Sequence, residues 1–336
     1  MLIEVTERGL YCEAGGFYID PWRAVDRAVI THAHSDHARS GSAAYLCSES
    51  GEGVLRERVG KQAHIETLDW GGAVSIGEAK VSLHPAGHVL GSAQVRVEHK
   101  GEIWVVSGDY KTQEDRSCER FEAVRCHTFI TESTFGLPIY RWRPTAEVME
   151  GVHAWWRRNR EEGRTSILFA YALGKAQRIL CGLDPEVGPI GVHGSVERFL
   201  PHYRFWGKPI PDCVNAKGEA VKELKGKGLV IAPGSTQNSD WLRKFTPCSL
   251  AFASGWMQVR GGRRRRALDR GFVISDHADW DGLLGTIEAT GADRIGVTHG
   301  YTEPLVRWLK ESGKEAWAVP TRFEGEGVED ADPEEG

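Results

Sequence analysis

The sequence predicts an α/β protein with a second α/β domain inserted into the first. Two observations carry that reading. Short apolar runs rich in β-formers recur along the chain, and seven of them lead to an ionisable residue. Between about residues 137 and 251 such endings stop, while an alternation of strand-like and helix-like segments continues. Continuous apolar runs of this length suit strands buried on both faces.

Gly16-Phe17-Tyr18-Ile19 leads into Asp20, and Ala28-Val29-Ile30-Thr31 into His32. Val81-Ser82-Leu83 leads toward His88, and Ile103-Trp104-Val105-Val106 into Ser107-Gly108-Asp109. Phe129-Ile130-Thr131 ends at Glu132. Phe272-Val273-Ile274-Ser275 precedes Asp276-His277, and Ile295-Gly296-Val297-Thr298 precedes His299. Strands ending this way can gather their last residues along one sheet edge, where α/β folds place their sites. The intervening stretch offers a helix from Ala146 to Arg160, a strand Ser166 to Ala170 and a helix from Ala172 to Leu180. A strand Leu229 to Ala232 then precedes Pro233-Gly234-Ser235-Thr236. No internal repeat or Pro-rich linker marks the borders of this stretch.

The 336 residues, 40% hydrophobic and 26% charged, describe an ordinary globular composition. No stretch approaches the roughly 20 apolar residues of a membrane span. The N-terminus has no signal-peptide pattern, so a cytoplasmic protein without a membrane partner is expected. Seven scattered cysteines form no Cys-x-x-Cys pair. Neither a disulfide framework nor a zinc ribbon is indicated, and metal ligands are to be sought among His, Asp and Glu. The net charge of −5 is concentrated in residues 323–336, which hold seven acids and no base. That tail reads as a disordered, solvating segment. Without it the body carries +2, so charge does not exclude a polyanionic substrate.

The sharpest motif is His32-x-His34-x-Asp36-His37. Neutral imidazole suits Zn²⁺, Mn²⁺ or Fe²⁺, and a carboxylate adds charge and can orient a water. His32 and His34 can point to one side of an extended segment and share an ion. Asp36 and His37, past the turn, can serve a neighbouring one.

This spacing resembles the second motif of the metallo-β-lactamase superfamily. Asp20 resembles the first, His88 in Pro85-Ala86-Gly87-His88-Val89-Leu90-Gly91-Ser92 the third, and Asp109 the fourth. Thr131-Glu132-Ser133-Thr134-Phe135-Gly136 is similar to motif A of the β-CASP nucleases. Ile274-Ser275-Asp276-His277-Ala278-Asp279 is similar to motif B, and Val297-Thr298-His299-Gly300 to motif C. The segment from Phe169 to Gln177 resembles the strand-to-helix turn of the β-CASP insertion. The short length and the run from Ser254 to Arg266 look most like the bacterial exonucleases associated with ATP-dependent DNA ligases.

The resemblance implies a four-layered αββα metallo-β-lactamase domain in residues 1–136 and 252–322, with a β-CASP insertion in 137–251. It implies two divalent ions, Mn²⁺ or Zn²⁺: one held by His32, His34 and His88, the other by Asp36, His37 and His299, with Asp109 bridging. Asp36 counts among the catalytic groups too, Asp20 supports the ligands from behind, and His277 acts as general acid beside Glu132. The implied reaction is hydrolysis of phosphodiester bonds in single-stranded DNA by a hydroxide activated between the ions, in a repair setting. A functional link to a DNA ligase and a helicase goes with it. A strand threaded between the two domains would reach the ions unpaired, which favours single strands.

RNA is the alternative, because a His at motif C, here His299, goes with RNA-cleaving members. A thioester or lactone hydrolase and a non-catalytic binding subunit rank lower. For substrate, Arg260, Arg263 and Arg264 offer a phosphate track, against the plainer reading of a solvated charge run. Ser235 lies in a turn whose N–H groups can cradle phosphate, and Trp256 can stack on a base. Trp155 and Trp156 are better explained by helix packing.

Overall fold

The computed structural model describes residues 1–259 and 268–322. The chain divides into two units. The first comprises Met1–Arg141 and the described residues from His277 onward; the second is Trp142–Asp276. The acidic tail and Arg260, Arg263 and Arg264 lie outside the described residues.

The first unit holds two sheets. One runs β1 (Glu4–Thr6), β2 (Gly9–Cys12), β3 (Phe17–Ile19), β4 (Arg27–Val29), β5 (Ala44–Ser48) and β6 (Ile65–Leu68), in that spatial order. The other is built from β7 (Ala73–Ile76), β8 (Ala79–Pro85), β9 (Ala93–His99), β10 (Glu102–Val106) and β11 (Thr128–Glu132). Two late strands, β18 (Arg294–Thr298) and β19 (Glu315–Ala318), complete it beside β11. Period-2 alternation decides which side chains face which neighbour. Val81 sits opposite Val97 and Leu83 opposite Val95. These four join Trp104 and Val106 with Ile19, Val29 and Leu46 of the first sheet in one core.

Val105, next along β10, faces the other way. With Phe129, Ile295 and Val297 it packs against Leu283, Ile287, Leu305 and Leu309. Those leucines and isoleucine recur at i, i+4 on helices Trp280–Thr290 and Thr302–Glu311, the spacing of one helix face. The first of these helices is capped by Asp279, whose Oδ1 accepts the Gly282 N–H at 2.9 Å.

The second unit carries a sheet ordered β14 (Val214–Asn215), β13 (Ile190–Val192), β15 (Leu229–Ala232), β12 (Thr165–Phe169), β16 (Cys248–Ala253) and β17 (Arg270–Phe272). All its pairings are parallel. A parallel sheet is covered on both faces, which explains the unbroken apolar runs. Ile167 and Phe169 face one cluster, Leu168 and Ala170 the other. Helix Thr145–Glu161 lays Met149, Val152, Trp155 and Trp156 on the latter. Both tryptophans are therefore packing residues.

Two expectations change. The strand expected at 272–275 is β17, which ends at Phe272 and pairs with β16 inside the second unit's sheet. Phe272 and Ile274 are buried in that unit's core, so residues 252–276 sit with the second unit rather than with the returning first. The helix expected from Ala172 starts at Lys175. Gly174, at φ 88°, interrupts it, and Gln177 Oε1 accepts the Gly174 N–H at 2.7 Å. No described helix is long and apolar enough to cross a membrane.

Trp156 is fully buried and donates its Nε1–H to the Lys227 carbonyl at 3.0 Å. Trp156→Ala is expected to lower stability by about 3–5 kcal/mol in urea denaturation. A loss below about 1 kcal/mol would contradict this packing.

Candidate metal centre

In the second sheet β10, β11 and β18 lie side by side and parallel. Their C-terminal ends deliver Asp109, Glu132 and His299 to one edge. In the first sheet β3 and β4, also parallel, deliver Asp20 and His32. Past β4 and His32 the chain turns: the His34 carbonyl accepts from the N–H groups of His37 and Ala38 at 3.2 and 2.9 Å. The turn folds His37 back over His32, with ring centroids 4.0 Å apart. His88 stands in a loop closed by Ser92, whose Oγ accepts the N–H of His88 at 3.0 Å and of Val89 at 3.2 Å.

Two glycines are needed here. Gly108 has φ 56°, and a Cβ on it would lie 2.6 Å from Thr31. Gly300 has φ 68°, and a Cβ would lie 2.4 Å from the Thr134 Cα. Side chains at either place would push Asp109 or His299 out of line.

The donor atoms of His32, His34, His88 and Asp109 lie within 4.8 Å of one another, and those of Asp36, His37 and His299 form a second such group. Asp109 stands between them. Its Oδ2 is 3.4 Å from His32 Nε2, 3.8 Å from His88 Nε2 and 3.6 Å from His37 Nε2.

The arrangement is prepared from behind by Asp20. Its Oδ2 accepts from the Thr31 hydroxyl at 2.5 Å and lies 2.8 Å from His37 Nδ1, while its Oδ1 accepts the Thr31 N–H at 2.8 Å. Having donated to Asp20, the Thr31 hydroxyl can only accept from His32 Nδ1, 3.0 Å away. Both imidazoles thus carry hydrogen on Nδ1 and turn Nε2 inward, the orientation a metal-bound histidine takes from its outer partners. Those two Nε2 atoms are buried and have no hydrogen-bond partner among the described residues. His88 Nε2 and His34 Nδ1 are 3.1 Å apart, close to the separation of about 3.3 Å between two nitrogens on one tetrahedral ion. The cluster fits divalent cations, and its nitrogen and oxygen donors, free of cysteine, suit Mn²⁺ or Zn²⁺ chemistry.

Electrostatics sort the ligands further. Burial and the neighbouring His37 charge push His32 well below its ordinary value. Burial also works against a charged His37, but Asp36, Asp109 and Asp20 outweigh it and lift this histidine to about 10. Burial opposes charge on Asp109 too, yet His37 and His277 hold it well below the usual carboxylate range.

Beyond the ligands, His277 Nδ1 lies 3.0 and 2.9 Å from the two Glu132 oxygens, with both side chains buried. Glu132 Oε1 also accepts the Tyr110 N–H at 2.8 Å. Burial lifts Glu132 above its usual range, with His277 pulling the other way. Ser133, inside the motif-A run, donates its hydroxyl to the His299 carbonyl; Thr31 and Tyr110 belong to no motif and serve by bonding a carboxylate. Ser235 is exposed and Trp256 half-buried, both within the second unit.

Comparison with known proteins gives relatives in sequence and in fold. A probable DNA ligase of Opitutus terrae is 31% identical over 319 residues, covering 93% of this chain and 30% of that protein. The endoribonuclease ysh-1 of Neurospora crassa is 31% identical over 144 residues, 41% of this chain and 16% of that one. The chain therefore spans less than a third of either relative. A protein of unknown function from Enterococcus faecalis has a crystal structure with TM-score 0.57 at 11% identity. It covers 89% of this chain and 80% of its own, and shows a shared mixed α/β fold. No family model matches. The two curated relatives bear out the resemblance to β-CASP nucleases linked to a DNA ligase.

An ion on His37 needs the lone pair of Nε2, and without metal this ring keeps its proton up to a pH of about 10. Loading Mn²⁺ or Zn²⁺ at neutral pH is therefore expected to expel a proton, and affinity to rise as pH rises toward that value. Titration calorimetry in buffers of different ionisation enthalpy checks this. Heats independent of the buffer would refute it.

Proposed function

We propose that the chain is a metallo-β-lactamase-fold β-CASP nuclease, hydrolysing phosphodiester bonds of single-stranded DNA with two divalent ions. The observation that carries this reading is Asp109, one carboxylate oxygen facing three inward imidazole nitrogens from two ligand groups. The two sheets sharing one core, with helices over the outer face of the second, support the layered fold.

His32, His34 and His88 would hold one ion, Asp36, His37 and His299 the other, and Asp109 both. When bound, such a pair lowers the pKa of water and offsets charge gathering on a phosphodiester. Asp20 and Thr31 keep His32 and His37 in the ligating tautomer. Asp36, half-exposed at the rim, can also orient a water. His277 holds its Nδ1–H toward Glu132, so the proton it gives to the departing oxygen is the one on Nε2. Fixed charge and position carry most of the rate.

The alignment with a probable DNA ligase along 93% of the chain favours DNA. The shorter alignment with an endoribonuclease, together with His299 at motif C, favours RNA as the second reading. The deciding assay offers one sequence as DNA and as RNA, linear and circular, with Mn²⁺, Zn²⁺ or Mg²⁺. Cutting of single-stranded DNA is expected, with Asp109→Ala slower by about 10³-fold. Cutting of RNA alone would move the assignment to a ribonuclease, and full activity in Asp109→Ala would remove the metal site from the account.

A further inference from the structure

Within the first unit, His88 stands in the connection from β8 to β9. The connection closes on itself: Ala86 donates its N–H to the Ser92 carbonyl and Ser92 donates to the Val89 carbonyl, both at 2.9 Å. Those bonds give the loop a shape without setting where it stands against His32 and His34. Two bonds to neighbouring segments hold its beginning and end. The Lys111 N–H reaches the Ala86 carbonyl at 3.0 Å, and the Ala93 N–H reaches the Thr31 carbonyl at 2.8 Å.

Between those points the loop is gripped by Ser48. This residue ends β5, the strand beside β4, and is fully buried. Its Oγ accepts the Gly51 N–H at 3.1 Å and donates to the Gly91 carbonyl at 2.5 Å. The Gly91 N–H in turn donates to Glu119 Oε2 at 3.0 Å. Backbone also meets backbone here: Gly91 has φ 72°, and a Cβ on it would lie 2.1 Å from the Gly51 nitrogen. The plainer role of Ser48 is to cap the short turn Glu49–Gly51. A cap needs only an oxygen that accepts. The hydroxyl proton remains, and it is directed at the loop that carries His88. The other ligand group is held from elsewhere. Asp20 Oδ2 lies 2.8 Å from His37 Nδ1, and Ser133 donates to the His299 carbonyl.

We propose that Ser48 is a positioning residue for the ion on His32, His34 and His88: its bond to Gly91 sets how closely His88 faces the other two imidazoles. The inference rests on the two-ion reading above. It adds a device that acts on one ion and leaves the other alone.

The test loads the full chain, labelled with ¹⁵N-histidine, with Zn²⁺. NMR follows the ring nitrogens while calorimetry against a competing chelator gives the two affinities. In Ser48→Ala the step that moves the His32, His34 and His88 signals is expected to weaken by about 10-fold, as when a ligand loses an outer partner. The step that moves the His37 and His299 signals should keep its affinity. Gly91→Ala, which forces the same contact apart from the loop side, should show the same split. Ser42→Ala is the control for a general loss of stability, since Ser42 Oγ accepts the Val25 N–H away from the loop; it should leave both steps unchanged. Unchanged affinities in Ser48→Ala, or equal weakening at both ions, would overturn the proposal and leave Ser48 as a turn cap. A wild type whose histidine signals do not move with Zn²⁺ would instead bring down the two-ion reading beneath it.

Discussion

The parallel run of β10, β11 and β18 carries three chain segments to one sheet edge, where they deposit Asp109, Glu132 and His299. Asp109 is the group on which the rest depends. A buried carboxylate is tolerated only where positive charge or donors surround it, and here the imidazoles of His32, His37 and His88 do so. Their orientation is not left to the carboxylate alone. Asp20, through Thr31 and His37, imposes it from the opposite side. The result is a set of donors whose directions are fixed before any cation arrives.

Much of this was legible because the ligands are chemically rare and each follows an apolar run. Glu132 is a strand's last residue, His299 directly follows one, and His32 and Asp109 come three positions past theirs; strand ends are where a sheet displays its side chains. The same rule misled at Asp276-His277. The run before them resembles another ligand-bearing strand, but β17 belongs to the parallel sheet of the second unit, and the boundary moves from 252 to 276. Thr31 and the Tyr110 amide stayed hidden for a different reason. Their roles arise from tertiary approach, and neither residue type marks itself out. Lys175 lies in the strand-to-helix turn that the sequence marks, yet nothing in its neighbours announces Asp276 as a partner so far along the chain.

The two ion-bearing regions show opposite uses of a low dielectric. Around Asp109 many charges meet at a partly accessible edge, and the excess of imidazoles over carboxylates leaves His37 holding a proton that a cation would displace. Inside the second unit the Lys175 ammonium meets the Asp276 carboxylate, both buried, beside the Tyr171 ring. The first arrangement is poised to exchange its positive charge. The second is buried, where removing either partner would strand a charge.

The first unit is built from two stretches of chain, with His299 carried by the later one. Ribosomal synthesis proceeds from the N-terminus, so β11 is made long before its neighbour β18, and must wait for it. The second unit, contiguous in sequence, can fold in that interval. Closing so long a loop adds little entropy cost but slows the search. The last ligand therefore arrives only after the inserted unit exists, and a nascent chain cannot assemble the full donor set ahead of it.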